Sequence, residues 1–149
     1  MAGFKLVSTP DESDIILVGL NNTAVAIGDV LWLATGSTYY LYDGLANIEA
    51  WHNKVVATDI TGATGSEVKG IFVHPQQLWE VESANNSNTD HNGDRMVLTD
   101  NNTVNNTGTN STAANAIVIQ TSAIGAVADK RILVRFIGEE VQALQLLRV

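Results

Sequence analysis

The side chains that could bind a metal ion are few and scattered along this 149-residue chain. His52, His74 and His91 lie far apart in sequence, and no two of them have zinc-ligand spacing. Residues 88–94 place oxygen-bearing side chains at alternate positions with a glycine in sixth place, as at the start of a calcium loop. The first ligand is an asparagine, however, and Thr99 stands where the loop needs a bidentate glutamate. We therefore interpret the segment as an Asx-rich turn and expect no metal ion.

Residues arranged for catalysis are equally scarce. The chain contains no cysteine, which excludes disulfides, thiolate zinc sites and cysteine nucleophiles. The glycine-containing segment 62–66 lacks the lysine of a phosphate-binding loop and predicts a hairpin turn instead. Glu80 and Glu82 share one face of a predicted strand, which leaves open an acid–base pair or a solvated face, and we favour the solvated face. We expect a protein that is not an enzyme and carries no cofactor.

The charge balance excludes further classes of protein. Eight basic and sixteen acidic residues give a net charge of −8, which disfavours binding to nucleic acid or to anionic membranes. No stretch approaches the ~18 apolar residues of a membrane span. The first residues lack the charged head and apolar run of a secretory signal, so we expect synthesis in a cytoplasm.

Strand-like patterns cover most of the chain. They occupy residues 14–19, 23–34, 38–43, 54–60, 67–74, 78–82, 95–99, 116–121 and 131–137. Gly28 and Asp29 interrupt the second of these segments and predict a turn or bulge. Residues 45–51 have helix-like spacing, and residues 139–149 suit a strand, a helix or a tail. The pattern predicts an all-β protein, a single compact β-barrel or β-sandwich of about 8–10 short strands, with no repeat of 20 to 50 residues visible.

The domain organisation follows from changes in composition. Residues 14–149 are predicted to form one β domain, preceded by an extended N-terminal arm of residues 1–13. The arm could add as a strand to the sheet edge of a neighbouring subunit. Within the domain, residues 85–115 are rich in Asn and Thr and predict either a long surface excursion or short strands joined by turns.

The aromatic residues divide into core and surface candidates. Trp32 and Trp79 lie in apolar or alternating segments and are predicted to face the core. Trp51, beside polar neighbours, is the tryptophan expected to be exposed, and the tyrosines of segment 39–42 could line an interface. Trp51 and the Asn-rich loops also leave open a carbohydrate-binding role.

Several stretches resemble the head-decoration (cement) proteins of tailed bacteriophages. They are AIGDVL at residues 26–31, VKGIFV at residues 68–73, and the Asn/Thr-rich late region between residues 78 and 136. The resemblance implies a structural virion protein that binds the outside of an assembled capsid, commonly as a homotrimer at local three-fold positions, and stabilises the shell. It would be made in the host cytoplasm, and its partners would be the major capsid protein and further copies of itself.

Two alternatives stay open at this point. One is a virion-surface or tail-associated carbohydrate-binding module that uses Trp51, and the other is a small glycan hydrolase that uses Glu80 and Glu82. For the favoured decoration role, the residues expected at a subunit or capsid interface are Tyr39, Tyr40, Tyr42, Trp51, Pro10, Asp11 and Glu12.

Overall fold

The computed structural model describes residues 3–8, 12–20, 25–33, 39–41, 54–60, 67–106, 117–124 and 129–137. In these ranges the prediction of an all-β protein is confirmed, with two 3₁₀ turns at Glu12–Asp14 and Thr89–His91. No helix of the described ranges is long and apolar enough to cross a membrane. The strands are β1 (Lys5–Leu6), β2 (Ile15–Gly19), β3 (Val30–Leu33), β4 (Tyr39–Leu41), β5 (Lys54–Ile60), β6 (Glu67–Phe72), β7 (Trp79–Ser83), β8 (Arg95–Leu98), β9 (Thr103–Asn105), β10 (Val118–Ala123) and β11 (Arg131–Phe136).

The first sheet closes into a five-stranded barrel. Its strands lie in the order β2-β6-β5-β3-β4, and every neighbouring pair is antiparallel. A parallel bridge between Leu20 and Tyr39 joins the two outer strands and completes the circuit. The interior is filled by one hydrophobic cluster: Val18, Leu20, Leu31, Tyr39, Val55, Ala57 and Val68.

The second sheet curls back on itself in the same way. Its strands run in the order β1-β7-β11-β10-β8-β9, and β9 also pairs in parallel with β7 through Glu82↔Thr103 and Ser83↔Val104. The pairing between β7 and β9 closes a second barrel of five strands, with β1 added outside it on the edge of β7.

The two barrels have the same topology. If the five strands of each barrel are numbered in chain order, both barrels have the strand order 1-5-4-2-3. In both, strand 3 closes the barrel by a parallel contact with strand 1 or the residue that follows it. Corresponding strands lie roughly 64 residues apart, so the chain contains a structural repeat that is longer than the 20 to 50 residues typical of solenoids and propellers. The registers agree as well, because the row Val30↔Val56↔Ile71 in the first barrel corresponds to the row Arg95↔Ile119↔Arg135 in the second.

A Gly-Asp corner before the second strand of each barrel repeats down to single hydrogen bonds. Gly28 (φ 93°) donates its backbone N–H to the Ala57 carbonyl at 2.8 Å, and Gly93 (φ 90°) donates to the Gln120 carbonyl at 2.8 Å. In the return direction, the N–H groups of Ala57 and Gln120 donate to the carbonyls of the corner aspartates. The turn predicted at Gly28-Asp29 is confirmed, and it is a recurring corner of the fold.

Residues 3–8 of the predicted N-terminal arm form a strand on a sheet edge of their own chain. Lys5 and Leu6 pair with Glu80 and Trp79 of the same chain. Phe4 is almost fully buried and its ring contacts those of Trp79 and Phe136. Burial of an aromatic side chain gives these residues a stable place in their own sheet.

A large hydrophobic cluster joins the two barrels. It contains the interior of the second barrel, Phe4, and the outward row Val30, Val56 and Ile71 of the first barrel. This row on the outer face of β3, β5 and β6 is therefore buried at the junction rather than solvated. Backbone bonds from Gly3 to Asn102 and from Val30 to Asn101 fix the turn between β8 and β9 against the same junction.

The Asn/Thr-rich region is built from short strands in its described part. β8, β9 and a 3₁₀ turn occupy residues 85–106, so the second of the two alternatives for this segment is correct there. Residues 107–115, and the segments 45–51 and 139–149, lie outside the described residues.

Candidate interaction surfaces

Tyr39 lies inside the first barrel. It is 7% exposed, it belongs to the interior cluster, and burial raises the pKa of its phenol above the ordinary value. The prediction that Tyr39 lines a subunit or capsid interface is therefore wrong. The amphipathic pattern predicted a surface position for the tyrosines. Tyr39 instead faces the interior beside Leu20, and this pairing leaves no signal in the sequence.

Tyr40 and Trp32 pair across neighbouring strands on the outer face of the first barrel. Their ring centroids are 6.0 Å apart with a 34° angle between planes, and both side chains are half-buried. Trp32 packs against the junction cluster, so its predicted core role holds only for part of its surface. Trp79, in contrast, is fully buried as predicted.

The remaining interface candidates lie outside what the structure describes, in whole or in part. Glu12 opens the 3₁₀ turn before β2, and only its backbone is described. Pro10, Asp11, Tyr42 and Trp51 fall outside the described residues. Among the described residues, no two of these seven candidates share a surface, because Tyr39 and Tyr40 point to opposite faces of β4.

The calcium-like segment uses its own oxygens for turn formation. The side chain of Asn88 accepts a hydrogen bond from the Asp90 N–H at 2.9 Å and caps the 3₁₀ turn. The side-chain oxygen of Asn92 accepts from Gln120 at 2.8 Å, and Asp94 contacts the His91 ring at 3.1 Å. The interpretation as an Asx-rich turn is confirmed. Across the described ranges, no three His, Cys, Asp or Glu side chains are grouped to hold a metal ion.

The outer face of the second barrel carries an ionic cluster around Arg131. Its guanidinium contacts Glu80 at 2.8 Å and Asp129 at 3.5 Å. The backbone N–H of Arg131 and then its side chain, as hydrogen-bond donors, hold the pKa of Asp129 below its usual value. Together with Lys5 and Glu82, Arg131 and Glu80 border an open pocket of about 180 Å³. The charges in this pocket neutralise one another, and Glu80 is engaged by Arg131 rather than poised as a free acid.

Large exposed apolar side chains lie elsewhere, three of them on the first barrel and one, Val7, after β1 on the edge of the second barrel. They are Val7 (49% exposed), Ile15 (39%), Leu17 (60%) and Ile27 (51%). Sequence reasoning did not select them, because an isoleucine or leucine in an apolar strand is normally taken for core. Only the register of β2 against β6 shows that residues 15 and 17 point away from the barrel interior, which holds Val18. Contiguous exposed apolar patches mark contacts with other proteins, and Ile15 and Leu17, two residues apart on one face of β2, are the pair that lies side by side.

The edges of the two corresponding first strands differ. In the second barrel, β7 is covered at Trp79 and Glu80 by β1, and at Glu82 and Ser83 by β9. In the first barrel, the matching edge of β2 is paired, within the described ranges, only at Leu20. The segment of β2 that corresponds to the β1-covered part of β7 is the one that carries Leu17.

The fold and surface define this chain as an all-β protein with two barrels of one topology and with apolar groups exposed mainly on the first. No family model matches the chain, and no curated protein matches it.

Proposed function

We propose that this protein is a structural virion component that binds the outside of a bacteriophage capsid as a homotrimer and stabilises the shell. The sequence resemblance to head-decoration proteins supplies the class. The single observation that supports it most is the exposure of Ile15, Leu17 and Ile27 on the first barrel.

The contrast between matching positions of the two barrels explains why this observation favours a protein partner. Leu17 corresponds to Glu80, which is half-buried and neutralised by Arg131. Ile15 and Leu17 lie two residues apart on one face of β2 and form a small exposed apolar patch, and such patches favour contact with another protein. In the proposed arrangement the first barrel contacts neighbouring proteins through its apolar side chains. The second barrel, which carries the Arg131 ionic cluster, faces solvent.

Weak contacts suffice for such a role, because a shell offers the same site many times. A trimer that engages three sites at once binds more tightly than any of its single contacts, through effective concentration alone. The partner that we propose for this arrangement is the major capsid protein.

The test is co-purification with particles from the native source. A lysate is separated on a density gradient, and the chain is quantified by mass spectrometry in the fraction of DNA-filled heads. We expect it to co-migrate with heads in fixed proportion to the major capsid protein. Absence from particles contradicts the proposal, and a few copies per particle point to a tail or fibre protein that could bind sugar.

A reconstitution experiment tests the stabilising role. Heads that lack this protein are heated with and without the purified chain, and DNA release is followed with an intercalating dye. We expect the added chain to raise the temperature of DNA release. An unchanged release temperature with the chain bound would contradict stabilisation while leaving the location intact.

A further inference from the structure

The edge of β2 in the first barrel can be compared with the corresponding edge of β7 in the second barrel. The register of β6 against β2, set beside that of β11 against β7, matches Ile16 with Trp79 and Leu17 with Glu80. In the second barrel this position is filled, because Leu6 lies opposite Trp79 and Lys5 lies opposite Glu80. In the first barrel the described residues provide no strand there, and two of the largest exposed apolar side chains, Ile15 and Leu17, flank the site.

An open edge with apolar side chains is unusual on a folded domain. Native sheets protect their edges with charges, bulges or a covering segment, because unpaired backbone groups recruit further strands. The edge of β7 follows this rule with both a covering strand and the Lys5–Glu80 pair. The edge of β2 has neither among the described residues, so in that part of the chain it can accept a strand from a second molecule.

We propose that the edge of β2 pairs antiparallel with β2 of a second copy, around a two-fold axis at Ile16. The pairing places Ile15 opposite Leu17 of the second copy, Ile16 opposite Ile16, and Leu17 opposite Ile15. It joins two first barrels through a continuous sheet and buries all four outward apolar side chains against one another. The parallel bridge at Leu20 ends the available edge on one side, and the 3₁₀ turn Glu12–Asp14 ends it on the other.

Charge explains why the occupant is a second copy of β2. In a chain of net charge −8, contact between two identical surfaces generally brings carboxylates together. Strand β2 is IILVG and carries no charge, so self-pairing avoids this repulsion. Strand β1 of another copy is less suitable, because its Lys5 would lie beside Leu17, whose other cross-strand neighbour is Lys69.

The apolar row that contains Ile15 also continues an interface already present. Ile15 is the cross-strand neighbour of Ile71, which in turn neighbours Val56 and then Val30. The last three are buried at the junction between the barrels, while Ile15 at the end of the row is still 39% exposed. Leu17 of the second copy would extend this buried row by one strand.

The contact deepens the proposed function, because it assigns Ile15 and Leu17, two of the exposed side chains that support that function, to a neighbouring copy. Pairing of two short strands buries far less than the ~1,600 Å² of a typical stable interface, so it is weak between free molecules. Where trimers sit at three-fold positions of a closed shell, a two-fold contact would connect neighbouring trimers into a net. Repetition over the shell would then supply the avidity that a single pair lacks.

Engineered disulfides test the pairing and its register together. The chain has no cysteine, so Ile15→Cys and Leu17→Cys each introduce a single thiol. Residues directly opposite in an antiparallel pair have Cα atoms roughly 4.5–5.5 Å apart, which suits a disulfide. We expect an equimolar mixture of the two variants to cross-link about tenfold faster than either variant alone, because only the mixture places two thiols opposite each other. Ile27→Cys, also half-exposed, is the control for random collision.

A competition experiment makes the result specific. Excess wild-type chain, which has no thiol, should slow cross-linking of the mixture, whereas excess Leu17→Glu chain should not. Glutamate is the residue that the second barrel carries at this position, so Leu17→Glu should keep the fold, and its melting temperature checks this. Cross-linking of the mixture no faster than of Ile27→Cys overturns the proposal. Particle binding by the Leu17→Glu chain is measured separately, so failure of the strand pairing and failure of the capsid role are distinguishable.

Discussion

The two Gly-Asp corners differ in the space that they leave for a Cβ atom at the glycine. Gly28 and Gly93 share a positive φ, but their surroundings differ. A Cβ at Gly28 would lie 2.9 Å from the Gly3 Cα, whereas a Cβ at Gly93 would have no atom within 4 Å. Gly19 also has open space, and its φ lies outside the left-handed region. The three positions therefore separate backbone strain from steric overlap.

The corresponding alanine variants should rank by these two effects. We expect Gly28→Ala to lower the free energy of unfolding most, Gly93→Ala to lower it by about 1–3 kcal/mol through strain alone, and Gly19→Ala to change it least. Urea unfolding of the three variants measures the order. A Gly93→Ala loss equal to that of Gly28→Ala would show that the contact with Gly3 contributes nothing.

Asp129 gives the ionic cluster a defined response to pH. Hydrogen bonds from Arg131 hold its folded-state pKa below the ordinary 3.8, so the stabilisation is present above that pH and is lost as pH falls through the lower folded value. We expect Asp129→Asn to melt at a lower temperature than wild type at pH 7. The gap should close as the pH falls below 3.8. Thermal melts from pH 7 to pH 2 test this, and a gap independent of pH would exclude the charge as its cause.

Side-chain placement marks the limit of sequence reasoning at this scale. The sequence predicted Trp79 as core correctly, because alternation with Glu80 and Glu82 defines one dry face. It misplaced Tyr39, and it missed the exposure of Leu17, because both depend on which strand lies alongside. Alternation identifies the two faces of a strand but does not say what covers each face.

At the scale of elements, the bulge in the fourth strand of each barrel repeats. The register shifts between Ala57 and Asp59 in β5, and between Gln120 and Ser122 in β10. The threonine at each shift donates its hydroxyl across the hairpin: Thr58 to the Lys69 carbonyl at 3.3 Å, and Thr121 to the Leu133 carbonyl at 3.1 Å. A recurring side-chain bond at the same irregularity indicates that it fixes the register.

Removal of either hydroxyl should destabilise the hairpin that it spans. We expect Thr121→Val to lower the free energy of unfolding by about 0.5–1.5 kcal/mol, toward the lower end because the site is exposed. Thr121→Ser keeps the hydroxyl and serves as the matched control, and Thr58→Val and Thr58→Ser repeat the comparison in β5. Equal effects of valine and serine would contradict a role for the hydrogen bond.

Most strands were predictable, and their partners were not. The predicted segments overlap every described strand except β1 and β9, which are two and three residues long. These two become strands through their partners: β1 pairs antiparallel with β7, and β9 lies between β8 and β7. A segment of that length has too few positions for a period to show.

At the scale of the whole molecule, adjacent valines report on different parts of the core. Val55 and Val56 are both fully buried, but Val55 belongs to the interior of the first barrel and Val56 to the cluster that joins the barrels. Strand alternation sends the two side chains to opposite faces of β5. The same substitution can therefore be made in the interior of the first barrel, at Val55, and in the cluster between the barrels, at Val56.

Alanine at each position should reveal how the barrels are coupled. We expect Val55→Ala and Val56→Ala each to cost about 2–3 kcal/mol of stability. In native-state hydrogen exchange, Val55→Ala should weaken protection mainly in the first barrel, whereas Val56→Ala should weaken it in both. Identical exchange patterns for the two variants would contradict separate clusters.

The repeat itself escaped sequence reasoning for a physical reason. Corresponding interior positions hold different residues, such as Ala57 and Gln120, or Gly70 and Val134. Val55 fills the space beside Gly70, where a Cβ would approach its side chain too closely, so each interior has found its own packing. Backbone hydrogen bonds persist through such exchanges, while residue identities do not.

The position of Phe4 has a consequence for biosynthesis. Residues 15–72 hold every strand of the first barrel, so that barrel can close while the ribosome is still translating the second half. Phe4 leaves the ribosome before all of them, yet its ring contacts Phe136 in the last strand. The backbone of Phe4 can dock on Gly28 as soon as the first barrel has closed. The aromatic contacts that bury its ring are complete only after Phe136 has been made, so the side chain waits for the last described strand.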